Sequence, residues 1–322
     1  HKRRAPLGPP MYLRAMRAFQ QGLGQRVVRH GCNAPLNIGA GMWDAAWVHR
    51  DIGNPRDDWV ELGRFMHELA CRYHVNGKFY WNDPDYLQVG QGTPNENRVR
   101  MAIMALGGGT AFICDRLSEL PEEKLRLIGR CLPGYGVAAV PLDLFDRDGY
   151  PRIWWLDVGT AWDRWAVVGA FNLDDEPVEV DVPLGRAVDG DLRAFEFFSS
   201  ALASPGPLCR VHPLRVSVPA RDVKVLRIAA MPDHPWIVGT DLHLTQGGVE
   251  LEDVKWSARN MTLTVTAHRA RGETGNLFLR VPPGYRPASA RADSAGILRV
   301  PLKFATPHLT CRIPFTRRAR DR

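Results

Sequence analysis

The sequence predicts an α/β segment followed by an all-β one. Residues 11–133 alternate helix-period runs with short strand-like runs, and a polar or acidic residue follows each strand. That rhythm belongs to a parallel sheet with helical crossovers, either a barrel or a doubly wound sheet. After about residue 150 the texture changes to short β-branched or aromatic runs separated by Gly, Pro and Asp, the pattern of an antiparallel sandwich.

Taken in order, residues 1–10 read as loop. Leu13, Met16, Phe19 and Leu23 fall at helical spacing over 11–24. Val27 to Leu36 reads as a strand and loop, and Asp44 to Ile52 as a second strand that delivers Asp51 at its end. Leu62, Phe65, Met66, Leu69, Ala70 and Tyr73 mark a helix on a 3–4 spacing. Phe79 to Trp81 reads as the third strand. It leads into Asn82-Asp83-Pro84-Asp85, where Pro84 holds Asp83 extended. Two carboxylates among aromatics suit a sugar site, and they equally suit an Asx turn in which Asp oxygens accept from local backbone N–H groups. Thr93-Pro94-Asn95-Glu96 is a capping box with Pro at the first helical position, and its helix runs to Gly107-Gly108-Gly109. Thr110 to Cys114 is the fourth strand. Pro121-Glu122-Glu123 opens a last helix with acid at its positive end, ending near Pro133. Asn33, Asp51, Asp83, Asp85 and Asp115 therefore all follow strands, and carboxyl ends of parallel strands are where such folds place their chemistry.

In the second half, Arg152 to Leu156, Trp165 to Asn172, Val178 to Val182, Leu214 to Val218 and Val223 to Ile228 read as strands. Met231 to His234 reads as a linker. Thr240 to Leu244, Val249 to Val254, Met261 to Thr266 and Asn276 to Val281 form a second all-β set. His243 and His268 are isolated and read as surface or packing residues rather than ligands.

Composition narrows the function classes. The 322 residues are 45% hydrophobic and 24% charged, which is ordinary for a globular protein with a sizeable core. The net charge of +7 owes part of its excess to Lys2, Arg3, Arg4, Arg317, Arg318, Arg320 and Arg322 at the ends. No nucleic-acid motif accompanies it. No apolar run approaches the roughly 20 residues of a membrane span. The six cysteines have neither CxxC nor zinc spacing, so no metal site or disulfide framework is expected, and most are expected to be buried. Ten tryptophans suit either core packing or flat contact with sugar rings. The start, His1-Lys2-Arg3-Arg4, has no signal-peptide pattern and no Met, and is read as a cut, which leaves localisation open.

At Asp51 and the Trp81 stretch the chain resembles the alpha-galactosidase (melibiase) clan of glycoside hydrolases, families 27 and 36. The match covers about residues 11–150. Gly31-Cys32-Asn33-Ala34-Pro35-Leu36 resembles the family's fifth barrel strand and loop. Asp44 to Ile52 resembles the sixth, Trp81-Asn82-Asp83-Pro84-Asp85 with Val89-Gly90 the seventh, and Cys114-Asp115-Arg116-Leu117-Ser118 the eighth. The resemblance implies the C-terminal half of a (β/α)8 TIM barrel over 1–150, followed by antiparallel β-sandwich modules. Residues 151–230 match the family's sandwich, and 231–322 form a second all-β accessory module.

The implied activity is retaining hydrolysis of a terminal alpha-linked galactose or related sugar, with no cofactor and no metal. One carboxylate attacks the anomeric carbon and a second protonates the leaving oxygen. Carried onto this chain, Asp51 is the acid/base. Cys32 and Asn33 resemble positions near the sugar 2-substituent, although Asn33 reads equally as a turn residue. Trp81 is assigned to the pocket or to the core, while Asp83 and Asp85 shape the seventh loop. Trp47 stands where the family has a substrate-binding arginine, and an indole cannot supply five donors. The family nucleophile lies in a Lys-x-Asp motif on the fourth strand, and none precedes the 11–24 helix. A whole barrel takes about 250 residues. The expectation is that the first four strands are absent, that an upstream barrel segment is needed, and that this chain alone is inactive and aggregation-prone. Two alternatives remain open: a non-catalytic carbohydrate-binding or structural relative, and a raffinose-synthase-like transglycosylase.

Overall fold

The computed structural model describes residues 8–24, 26–49, 59–289 and 291–317. These described residues are rich in strand, with four α-helices among them. Helix α1 (Pro9–Leu23) starts on two prolines, which suit a first turn, and it buries none of its side chains. Met11, Phe19 and Leu23 stay exposed on it.

Strands β1 (His30–Gly31), β2 (Ala45–Trp47) and β3 (Trp81–Asp83) form a parallel sheet in that order. Strands β4 (Tyr86–Leu87) and β5 (Phe112–Ile113) form a second parallel pair. These strands are shorter than the sequence runs predict. The third begins at Trp81 instead of Phe79, because the Phe79 N–H donates to Val75 O and closes a turn, leaving Phe79 exposed.

Helix α2 (Trp59–Ala70) buries Leu62, Phe65, Met66 and Leu69, the stripe its spacing predicts. Helix α3 (Pro94–Gly107) has the predicted capping box. Thr93 accepts from Glu96 N, and Glu96 accepts from Thr93 N at 3.0 Å. Two glycines end it for different reasons. Gly108 is left-handed at φ 71 and caps the helix. Gly109 passes so close to β3 that an added Cβ would lie 1.6 Å from Asn82 O. Helix α4 (Glu122–Gly129) follows β5, and strand β6 (Val140–Pro141) leads to the all-β part.

There, β6 pairs with β7 (Ile153–Gly159) and β7 with β8 (Arg164–Asn172). Strand β9 (Val178–Val182) lies apart. Strands β10 (Asp191–Glu196) and β11 (Ala201–Leu202) follow, then β12 (Leu214–Val218) and β13 (Asp222–Met231). The main sheet runs β11-β10-β13-β8-β7-β6, and β12 pairs with β9 to cover one face. Because strand side chains alternate, each strand feeds two cores. Trp154, Leu156, Val167, Phe171 and Phe195 pack toward α2 and α3. Trp155, Val168, Leu226 and Ile228 pack with Val180, Val182 and Val216 of the covering pair.

Strands β14 (Trp236–Thr240), β15 (Leu251–Ser257), β16 (Thr262–His268), β17 (Thr274–Arg280), β18 (Tyr285–Pro287), β19 (Ile297–Lys303) and β20 (His308–Arg317) make two further antiparallel sheets. Their orders are β14-β17-β19 and β15-β16-β20-β18, and they enclose Ile237, Leu263, Val265, Leu277, Leu279 and Phe304. The predicted Thr240–Leu244 strand is corrected: Thr240 ends β14, and the Asp241 carboxylate accepts from Asn276 N and Nδ2 at 2.6 Å each.

Polar contacts tie these layers together. Arg227 of β13 is fully buried, with its guanidinium 3.9 Å from the Trp165 ring centroid, and donates to Gln246 O at 2.6 Å and Asp163 Oδ2 at 2.9 Å. Burial pulls its pKa down to about 10 against the opposing pull of Asp163 and Glu250. Arg269 donates to Gly129 O and Leu132 O and so satisfies carbonyls at the end of α4. His243, beside it, is a packing residue. Its Nε2–H donates to Pro133 O at 3.0 Å, and burial followed by the Arg269 charge pushes its pKa down to about 3.

The burial expectation for the cysteines is corrected: Cys32, Cys71, Cys114 and Cys209 are exposed, and only Cys131 is fully buried. Among the described residues no helix is long and apolar enough to cross a membrane.

Candidate active site

The parallel register fixes which side chains meet. His30, Ala45 and Trp81 align across the sheet, and Trp47 aligns with Asp83 two rows further toward the carboxyl ends. His30 reaches up to that row, where its Nε2 lies 2.6 Å from Asp83 Oδ2. On its other side the His30 ring meets Phe112 of β5, with centroids 5.7 Å apart. Asp83 is only 4% exposed. Burial raises its pKa, and the His30 interaction and the Asp85 N–H oppose that rise.

Asp83 Oδ1 accepts from Asp85 N at 2.9 Å, and Asp85 sits at φ 66. This is the Asx turn that the spacing around Pro84 predicts. Asp83 thus serves the turn with one oxygen and His30 with the other.

The remaining sequence-predicted residues divide. Cys32 and Asn33 are exposed directly after β1, and Asn33 is left-handed at φ 49, a conformation asparagine tolerates. Trp47 is half-buried beside Asp83, and its Nε1 is buried without a hydrogen-bond partner among the described residues. Trp81 does not join them. It is 44% exposed, and its ring rests against Gly77 and Gly136 in loops at the amino end of β3. Asp51 lies outside the described residues.

Asp115, also after a strand, acts as a clamp. Its oxygens accept from Val89 N at 2.7 Å and Gly90 N at 2.9 Å, while Lys124 Nζ donates to Gly90 O at 2.7 Å. The loops after β4 and β5 are held together in this way. Burial, and then the Asp85 and Asp115 carboxylates, push the neighbouring Cys114 thiol up, which disfavours a thiolate there. No group of three or more His, Cys, Asp or Glu among the described residues could hold a metal ion.

Sequence reasoning passed over His30. Its only local signal is its place directly before Gly31-Cys32-Asn33. Its partner comes from a strand two positions away in the sheet.

No family model matches the sequence, and no curated protein matches it significantly. Solved structures do match. Alpha-galactosidase I from Mortierella vinacea superposes with a TM-score of 0.53 at 14% identity, over 72% of this chain and 67% of that one. The chain shares its fold with the alpha-galactosidases. The Saccharomyces cerevisiae enzyme solved with raffinose gives 0.51 at 15% identity, over 70% of this chain and 69% of that one. A GH27 β-L-arabinopyranosidase from Geobacillus stearothermophilus in complex with arabinose gives 0.53 at 13% identity. That alignment covers 68% of this chain and 55% of that one, so this chain spans about half the length of that enzyme.

Proposed function

We propose that this chain carries the later strands of a (β/α)8 barrel from a retaining alpha-glycosidase, with alpha-galactoside or β-L-arabinopyranoside as the substrate class. The observation that carries this reading is the parallel register that sets Trp47 beside Asp83, within a fold shared with alpha-galactosidases. Residues 1–150 are read as the barrel part, 151–230 as the sandwich and 231–322 as the accessory module.

In this reading Asp51 is the acid/base, four residues after Trp47 in the sequence. The nucleophilic carboxylate comes from an upstream barrel segment, since Asp83 is committed to His30 and to the Asx turn. Retention needs the two carboxyl groups roughly 5–5.5 Å apart. The His30–Asp83 pair braces the pocket floor, Asn33 and Cys32 face the sugar, and Trp47 offers an indole where the family presents a guanidinium. The exposed apolar side chains of α1 support a missing partner segment.

The same substitution at Trp47 also supports a second reading, a carbohydrate-binding relative without turnover. The test is a panel of 4-nitrophenyl glycosides offered to the protein with its upstream segment and to this chain alone. The glycosidase reading expects turnover of the alpha-galactoside or β-L-arabinopyranoside only by the longer protein. Saturable sugar binding without turnover by the longer protein would transfer the case to the second reading. Robust turnover by this chain alone would refute the split site. Product analysis with an added sugar acceptor separates hydrolysis from transglycosylation.

A further inference from the structure

A cavity of about 660 Å³ opens between the main sheet and the last module, lined by Arg193, Arg280, Tyr285, Arg286 and Arg291 together with Pro282. That volume lies within the usual range for a ligand site, and junctions between packed units are where such sites concentrate.

Its charge is unbalanced. Arg193 Nη2 lies 3.2 Å from Asp191 Oδ1, and Arg280 Nη2 lies 2.9 Å from Asp191 Oδ2, so one carboxylate serves two guanidiniums. Asp293, also on the wall, spends Oδ1 on the N–H groups of Ala295 and Ile297 in its own turn. Arg286 and Arg291 are exposed, and neither forms an ion pair among the described residues. Arg193 Nε is buried and makes no hydrogen bond among the described residues, and a buried donor of that kind calls for an acceptor. The walls between these charges are flat and apolar: Pro282, and Tyr285, whose ring meets Trp256 edge to face with centroids 5.7 Å apart.

We propose that this cavity binds an acidic oligosaccharide through its uronate carboxylates. Guanidiniums match a planar carboxylate with paired N–H donors. The tyrosine and proline surfaces suit the apolar face of a pyranose ring. The site lies away from the parallel strands and does not rest on the glycosidase reading.

The test is calorimetric titration of the 322-residue chain with α-1,4-linked trigalacturonate, with its methyl ester and with sodium acetate. Trigalacturonate is expected to bind saturably and to weaken as salt is raised, while the ester and acetate do not compete. Arg286→Ala with Arg291→Ala is expected to weaken binding about tenfold or more. Arg291→Ala alone, in an exposed loop, should show part of that loss if the double variant folds poorly. No saturable binding would overturn the proposal, as would equal affinity in the variants. Equal binding of the ester would remove the carboxylate from the recognition, and effective competition by acetate or inorganic sulfate would reduce the cavity to a general anion site. Either result also refutes it.

Discussion

The parallel-strand region and the antiparallel region finish differently. In the antiparallel region Trp154 and Trp155, neighbours in β7, are both buried because each face of the sheet has its own cover. In the parallel region the strands are two or three residues long, and α1 has no fully buried side chain. Among the described residues, all but two of the exposed large apolar side chains lie at or before Phe145, the exceptions being Val188 and Val211. One region is closed by its own chain. The other presents Phe112 and Trp81 and the apolar side of α1 as if to a further layer. The difference teaches that closed packing is concentrated in the antiparallel layers, while the site proposed above lies on the sparsely covered parallel strands.

Core truncation is the strongest way to break that contrast. Trp155→Ala should cost about 3–5 kcal/mol, while Phe112→Ala should stay within about 0.5 kcal/mol, both by urea denaturation. Equal losses would mean that the two regions are equally packed. Arg227→Met comes next. It leaves Asp163 without its buried cation and should cost roughly 3 kcal/mol, with loss of the near-UV signal from Trp165. A neutral result would show that the stacked cation does not hold the layers.

Asp115→Ala tests the parallel region itself. Two backbone donors lose their acceptor, for about 1–3 kcal/mol, and hydrogen exchange should rise at Val89 and Gly90. The smallest effect concerns Asp83. Its folded pKa is raised, so the folded state holds its proton to higher pH than the unfolded chain does. Stability from this group is full below the unfolded value of about 3.9 and falls as pH rises through the folded pKa. Asp83→Asn should remove that fall. A denaturation midpoint difference between variant and wild type that stays constant from pH 4 to pH 7 would contradict the raised pKa.

Much of this was legible in the sequence because it is local. The Thr93–Glu96 capping box, the α2 stripe and the Asp83–Asp85 turn each depend on residues within a few positions. Among the strands of five or more residues, β10, β14, β19 and β20 were not legible. In β19 and β20 one face is solvated, and Arg299, Lys303, Arg312 and Thr316 interrupt the apolar signal. The His30–Asp83 contact was invisible for another reason. It exists only once β1, β2 and β3 adopt one parallel register, and no nearby residue encodes that. Trp81 and Asp83 share a motif, yet the ring of Trp81 falls at the amino end of the strand, because adjacency in sequence does not fix depth in a sheet.

The most direct test of the central claim uses Asp51→Asn in a protein extended by the upstream segment that the proposal calls for. The assay is turnover of 2,4-dinitrophenyl alpha-galactoside with and without sodium azide. An activated leaving group needs little acid assistance, so a retaining enzyme lacking its acid/base still forms the glycosyl intermediate but hydrolyses it slowly. The account predicts a rate depressed by about a hundredfold or more, restored by azide with formation of alpha-galactosyl azide. An unimpaired variant, or one that azide leaves unchanged, would contradict the assignment of Asp51 and with it the retaining mechanism.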